Sequence, residues 1–244
     1  MRDAVVLGVD QGTSSTRCVA LDARRRVVGF GAAPVACSFP APGLVEQNPA
    51  ELVRSAGQAV AQALHEAGVS SAGAVGIANQ TETFVICERN TGRPIHAAVV
   101  WQDRRTASQC AELRAAGLGD FVRARTGLEL NPTFSATKVA WVLDHVDGAR
   151  IRADDGKLVC HDVASWLIRS LTGTERCDVG NAGRTLLCGM GATDWDPELL
   201  ALFDIPRSLM PPIVDSDAID AVGALRSPLP GVPIVAALGD QQAS

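Results

Sequence analysis

The chain has 244 residues, 47% hydrophobic, 20% charged and only 4% aromatic, with 22 Lys and Arg against 27 Asp and Glu for a net charge of −5. This much apolar material over the whole length excludes intrinsic disorder, and the acidic balance gives no electrostatic footprint for nucleic acid. No apolar run approaches the roughly 18 residues a membrane span needs, and the apolar start, soon broken by Asp10, is too short for a secretory signal. Seven cysteines without a Cys-x-x-Cys spacing read as reduced, mostly structural thiols of a cytoplasmic protein, with neither a disulfide framework nor a zinc site.

Three short strands rich in Val and Leu are predicted first, at residues 4–10, 17–22 and 27–35. The connections, a Gly/Ser/Thr loop at 11–16 and the run Arg24-Arg25-Arg26, are too short for a parallel crossover, so the sheet opens in an antiparallel meander. Asn48-Pro49-Ala50-Glu51 then supplies an N-cap, a proline at the first helical position and a glutamate in the first turn. Leu52, Ala56, Val60, Ala63 and Leu64 continue at helical spacing, and Gly68 ends the helix. Strands follow at 74–78, 83–88 and 97–101, and Asp103 is expected to cap a helix reaching Ala116. Two further helices, at 137–146 and 162–171, flank a strand at 157–160. A short helix at 198–203 precedes a stretch, 206–233, that reads mostly as loop. A last apolar strand, 232–238, runs into Gly239-Asp240-Gln241-Gln242. A buried-type strand followed at once by a helix start is a poor place for a native protein to stop, so the chain is expected to be one domain of a longer protein.

Four polar clusters punctuate this pattern. Asp10-Gln11-Gly12-Thr13-Ser14-Ser15-Thr16-Arg17 reads either as a polar hairpin loop or as a phosphate cradle. In the second reading Gly12 admits an anion close to the backbone, the hydroxyls donate to phosphate oxygens, Arg17 adds a cation and Asp10 holds magnesium through water. The Gly-Lys-Ser/Thr pair of a Walker A loop is absent. Gly239-Asp240-Gln241 places a second carboxylate after a second buried strand, either as a helix N-cap or, if the strands are neighbours, as a base for a hydroxyl proton beside Asp10. Asn79-Gln80-Thr81-Glu82 sits at a strand's C-terminal end, where open sheets place ligands, and Trp101-Gln102-Asp103-Arg104-Arg105 is the fourth cluster.

Together with residues 42–49, Phe134-Ser135-Ala136-Thr137-Lys138, Asn181-Ala182-Gly183-Arg184-Thr185 and Asp194-Trp195-Asp196, these clusters resemble the FGGY carbohydrate kinases, and within that family the glycerol kinases. The resemblance runs from about Val6 to Ser244. It implies an α/β domain of the ribonuclease H-like, actin-like ATPase class, with a mixed sheet opening in the meander and flanked by helices. The whole of 1–244 would be the N-terminal, substrate- and phosphate-binding half, and a C-terminal domain outside this chain would carry most of the nucleotide pocket. The implied reaction is ATP- and Mg2+-dependent phosphorylation of a hydroxyl of a small polyol or sugar, with this half inactive by itself.

Carried over by position, Gly12, Thr13, Ser14 and Ser15 would contact ATP phosphates, Arg17 would approach the transferred group and Asp10 would organise the metal. Asp240 would be the general base, Gln241 and Glu82 would hydrogen-bond substrate hydroxyls, and Trp101 would wall the polyol carbons. Two positions depart from the glycerol kinase pattern. Thr81 stands where that pattern has Arg, and Thr133 where it has Tyr, both of them substrate-contacting positions. The shorter side chains enlarge the implied pocket and point to a longer polyol or a sugar derivative. The segment 223–231 is shorter and less glycine-rich than the loop that binds an inhibitory sugar bisphosphate in some glycerol kinases, so that regulation is not expected. Other readings are a kinase for a four-carbon polyol or xylulose and a non-catalytic, actin-like nucleotide-dependent regulator. The presence of both Asp10 and Asp240 argues against the regulator, since a sensor needs no base beside a hydroxyl. Self-association is left open by the sequence.

Overall fold

The computed structural model of the protein describes residues 5–219, 221–222 and 230–244. Ala4 of the first expected strand and residues 223–229 of the segment 223–231, at which no regulation is expected, lie outside the described residues. In chain order the strands and first helices are β1 (Val6–Gln11), β2 (Ser15–Leu21), β3 (Val27–Pro34), β4 (Cys37–Ser38), β5 (Glu46–Gln47), α1 (Pro49–Ala67), β6 (Ala74–Asn79), β7 (Phe84–Glu88) and β8 (Ala98–Val99). Helices α2 (Ala107–Ala115), α3 (Leu118–Thr126), α4 (Ser135–His145) and α5 (Ala149–Asp154) precede β9 (Leu158–Asp162) and α6 (Val163–Thr172). The remainder comprises β10 (Cys177–Asp178), α7 (Val179–Ala182), α8 (Pro197–Leu202), β11 (Ile213–Val214), β12 (Ala221–Val222), β13 (Pro233–Gly239) and α9 (Asp240–Ala243).

One mixed sheet has the order β12-β13-β6-β1-β2-β3. Its opening meander β1-β2-β3 is antiparallel, as loop length requires, while β1, β6 and β13 run parallel at its centre. A second sheet, β4-β5-β8-β7-β9, is antiparallel. Helix α1 forms where the sequence places it. The Asn48 side chain accepts from the Ala50 N–H, Pro49 takes the first turn, and Gly68 ends the helix at φ 65°. Its apolar stripe of Ala56, Ala59, Val60, Ala63 and Leu64 is buried against the mixed sheet. Contact with β3 is so close that a Cβ at Gly29 would lie 2.1 Å from the Ala63 carbonyl oxygen, and one at Gly31 2.0 Å from that of Ala59. β3 is also an edge strand, and α1 covers its free donors. The Phe30 N–H donates to Glu66 at 2.8 Å and the Ala32 N–H to Gln62 at 2.9 Å, which blunts the edge against a foreign strand.

A larger apolar core joins β7 and β9 to helices α2 to α5 and α8, and a smaller cluster around Leu52, Val85, Val159 and Trp166 packs α1 and α6 on the second sheet. The polar segment 80–83 links β6 of the first sheet to β7 of the second, so it sits where the sheets meet.

Several boundaries differ from expectation. The first loop narrows to residues 12–14, because Ser15 and Thr16 already pair with Pro34 and Ala33. Asp103 does not cap a helix, and α2 starts only at Ala107. Asp103 is fully buried and accepts instead from the Val45 N–H at 2.6 Å and the Arg105 guanidinium at 2.8 Å. Burial by itself would raise its pKa, but the Arg105 and Val45 donors hold it below the usual carboxylate value. A charge-assisted pair in the interior outweighs a cap at a helix end. Asp162 lies just outside α6 as its N-cap, and α4 begins two residues before the expected 137.

Candidate active site

β1, β6 and β13 end side by side. Gln11 pairs with Asn79, and Asn79 with Gly239, so their C-terminal ends form one edge. Alternation along β1 buries Val9 and Gln11 and leaves Gly8 and Asp10 on the open face of the sheet. Asp240 begins α9 immediately after β13. Asp10 and Asp240 line one cleft of about 440 Å³, floored by Gly8, Gly76 and Ala78. Burial raises the pKa of Asp10, its cross-strand neighbour Arg17 opposes the rise, and the charge of Asp240 adds to it. Two carboxylates that repel each other across an open cleft form a place for a cation. Among the described residues no group of three or more His, Cys, Asp or Glu could hold a metal by itself, so the donor set fits a magnesium that keeps its waters and phosphate ligands.

The 12–14 loop stands beside this cleft. The Gly12 N–H donates to the Ser15 carbonyl at 3.0 Å, and a Cβ at Gly12 would come within 3.1 Å of that oxygen. Ser14 is exposed and Thr13 half-buried. A buried relay fixes the loop from behind. Gln47 Nε2 donates to the Thr13 carbonyl at 2.7 Å, and Gln80 Nε2 to the Gly12 carbonyl at 3.3 Å and to Gln47 Oε1 at 3.0 Å. Thr83 donates to Gln80 at 3.1 Å and accepts from the Trp101 N–H at 3.1 Å. Trp101 closes the circuit, its indole N–H donating to Thr13 Oγ1 at 2.9 Å. Its ring, 37% exposed, thus joins the loop to the rest of the site.

Glu82 lies on the adjoining side. It is buried yet holds a left-handed backbone with φ 62°, a conformation that costs a non-glycine residue on the order of 1 kcal/mol. Three donors hold it there. Ser135 Oγ donates to its carbonyl at 3.1 Å, Thr81 Oγ1 to Oε2 at 2.5 Å and Arg184 Nε to Oε1 at 2.7 Å. The Arg184 guanidinium also lies over the Phe134 ring, 5.1 Å from its centroid. Thr81 packs against the backbone before Asp240, since a Cβ on Gly239 would fall 2.4 Å from Thr81 Cγ2. That contact joins the Glu82 cluster to the cleft. The wall opposite is built on Lys138. This fully buried residue donates to the carbonyls of Val100, Trp101 and Thr133 at 3.3, 3.5 and 2.8 Å.

The structure therefore sets Asp10 and Asp240 in one cleft, ties Thr13 to Trp101 and Thr81 to Glu82, and holds the backbones of Trp101 and Thr133 together through Lys138. Gly12, Thr13, Ser14, Ser15, Arg17, Thr81, Glu82, Trp101, Thr133 and Gln241 do not line the Asp10–Asp240 cleft itself. Gln241 is exposed, with its N–H bonded back to Asp240 at 2.8 Å. Sequence reasoning assigned no role to Gln47, Gln80, Thr83, Lys138, Asn181 or Arg184. One signal was available: Lys138, one of two lysines in the chain, interrupts the apolar face of a helix.

The model of the FGGY family of carbohydrate kinases, N-terminal domain, matches residues 5–244. Among curated relatives, a glycerol kinase from Alkalilimnicola ehrlichii is 45% identical over 243 residues, covering 98% of this chain and 49% of its own length. One from Aromatoleum aromaticum is 46% identical with the same coverage. Among solved structures, Plasmodium falciparum glycerol kinase with ADP superposes with a TM-score of 0.92 at 29% identity, over 99% of this chain and 49% of that one. A xylulose kinase from Rhodospirillum rubrum, with a TM-score of 0.84 at 24% identity over 98% of this chain and 49% of its own, shares the fold. The chain thus spans about half the length of the relatives it matches.

Proposed function

We propose that this chain, which belongs to the FGGY family of carbohydrate kinases, is the acceptor- and phosphate-binding half of an enzyme that transfers the γ-phosphoryl group of ATP to a hydroxyl of a small polyol or sugar. The observation that supports this most is the placing of Asp10 and Asp240 in one cleft, beside a glycine- and hydroxyl-rich loop at the ends of parallel strands. Phosphoryl transfer needs little covalent help from protein, only alignment, charge neutralisation and a home for one proton.

The residues divide these tasks. Gly12 holds the loop by donating its N–H to the Ser15 carbonyl, the backbone N–H groups of residues 13 and 14 and the hydroxyls of residues 13–15 donate to phosphate oxygens, and Thr13 is prepared for it. Its oxygen accepts from Trp101, which leaves its own hydrogen to donate outward. Arg17 offers positive charge to the transferred group. Asp240 takes the proton from the acceptor hydroxyl as its oxygen bonds to the γ-phosphorus and the bond to the ADP oxygen breaks. Glu82 accepts from a second hydroxyl, Gln241 bonds to a further one, and Trp101 bounds the carbon chain. A magnesium ion bound near Asp10 would neutralise charge on the phosphates. The remaining half of the longer protein supplies most of the nucleotide pocket, and the cytoplasm supplies ATP. Among the described residues no helix is long and apolar enough to cross a membrane.

The test is ADP release by the full-length protein with ATP and magnesium across a panel of three- to five-carbon polyols and ketoses. Turnover on at least one small polyol or sugar, well above ATP hydrolysis in water, is expected. Hydrolysis that no acceptor stimulates would refute the kinase reading and favour a nucleotide-dependent regulator.

A further inference from the structure

Arg184 and Glu82 come from segments 102 positions apart, yet they are held on matched supports. Glu82 follows Asn79 by three residues, and Arg184 follows Asn181 by three. The two asparagines, both buried, exchange reciprocal amide hydrogen bonds of 3.1 and 2.9 Å. Asn181 is anchored further by Asp178, which accepts from its amide at 2.5 Å, and its carbonyl accepts from the Arg184 N–H at 3.0 Å. The spacing between carboxylate and guanidinium is therefore set by a rigid polar strut behind them.

The pair is joined at one point only. Arg184 donates through Nε, and among the described residues neither terminal nitrogen has a protein acceptor. A guanidinium carries five N–H donors, so about four remain, while a carboxylate has about four acceptor directions, of which Arg184 and Thr81 occupy two. The Arg184 side chain is 26% exposed and that of Glu82 only 5%, so the open fork is what solvent meets. The Phe134 ring under the guanidinium orients its plane.

A fixed acceptor beside a fixed fork of donors complements two hydroxyls on neighbouring carbons, since each hydroxyl both donates and accepts. We propose that Arg184 is the donor half of a vicinal-diol clamp whose acceptor half is Glu82, and that it sets the preference for acceptors carrying two adjacent hydroxyls. This deepens, and rests on, the kinase reading above. It also gives Thr81 a role, for a short side chain there leaves the guanidinium of Arg184 its place beside Glu82.

The test compares full-length wild type with Arg184→Met and Arg184→Lys on glycerol and erythritol, with 1,3-propanediol as an acceptor lacking adjacent hydroxyls. Wild type is expected to favour glycerol over 1,3-propanediol. Arg184→Met should raise KM for glycerol and erythritol by about 10–100-fold, the loss expected when a charged donor goes, and leave KM for ATP within about twofold. The same variant should lose less than about threefold on 1,3-propanediol, and Arg184→Lys should restore part of the diol preference. Equal losses on all acceptors, or none, would overturn the clamp, since a merely structural ion pair does not distinguish substrates. Should Arg184→Met fold poorly, a wild type that uses 1,3-propanediol as well as glycerol overturns it by itself. If wild type phosphorylates no acceptor, the kinase reading fails and calorimetry with glycerol alone decides the clamp. Binding lost in Arg184→Met and partly kept in Arg184→Lys would sustain it, and binding absent from wild type, or unchanged in Arg184→Met, would refute it.

Discussion

Replacing Lys138 by Met tests the electrostatics of the pocket wall. The ammonium group has three donors and meets three carbonyl oxygens, yet it lies in an interior without a directly bonded carboxylate. Burial pushes its pKa from 10.5 down to about 7, with the charges of Asp103 and Glu82 opposing the fall. Between those values the unfolded chain holds a proton here that the folded chain has released. Stability contributed at Lys138 therefore rises with pH across this window and is level below and above it. At about 1.36 kcal/mol per pH unit, and with the folded group half-protonated at the lower end, the gain from about pH 7 to about pH 10 is on the order of 3 kcal/mol. Buried thiols act the other way. Burial raises Cys18 to about 12 and Cys87 to about 11, so their contribution is lost as pH climbs past the ordinary thiol value. Both proteins share the cysteines, so the difference between wild type and Lys138→Met isolates the lysine. Urea unfolding of the two proteins at steps from about pH 7 to 10 should show wild type gaining on the order of 3 kcal/mol on the variant. A difference constant to within about 0.5 kcal/mol would refute the depressed lysine and leave a permanently charged ammonium on its three carbonyls.

Three further outcomes are expected. Asp240→Asn in the full-length enzyme should lower turnover by about 10²–10⁴-fold while nucleotide affinity, read by calorimetry, stays nearly unchanged, and a loss below about tenfold would reduce Asp240 to a helix start. Gly239→Ala should weaken acceptor binding several-fold, because the new Cβ would sit 2.4 Å from Thr81 Cγ2. Adding Thr81→Ser, which removes that methyl, should recover much of the loss in KM. The pair Thr81→Arg and Thr133→Tyr should shift preference among three- to five-carbon acceptors toward the shortest by refilling the pocket, and a wild type that already prefers glycerol would contradict this.

Local chemistry in the sequence was enough for α1, whose cap, proline, apolar stripe and terminal glycine lie within one continuous segment, and for the meander, where loop length alone forbids a parallel crossover. It was also enough to mark Asp10 and Asp240, because each breaks an apolar strand with a carboxylate beside a polar loop. That the two face one cleft was decided by β6, which pairs with both β1 and β13 across long stretches of chain. Asp103 shows the limit in the other direction. Its spacing fitted a helix cap, but Val45, more than fifty residues earlier in the chain, and Arg105 claimed its carboxylate in the interior. The Gln47–Gln80–Thr83–Trp101 relay, the Asn79–Asn181 strut and the Glu82–Arg184 pair were likewise illegible. Each joins residues that sequence separates, and a buried polar side chain is stabilised by whichever partner the packing brings within about 3 Å. Periodicity and caps act over a few residues, so the sequence by itself determined the elements and the carboxylates at their ends. Which donor meets which acceptor depends on how those elements stack, and only the tertiary structure decided that.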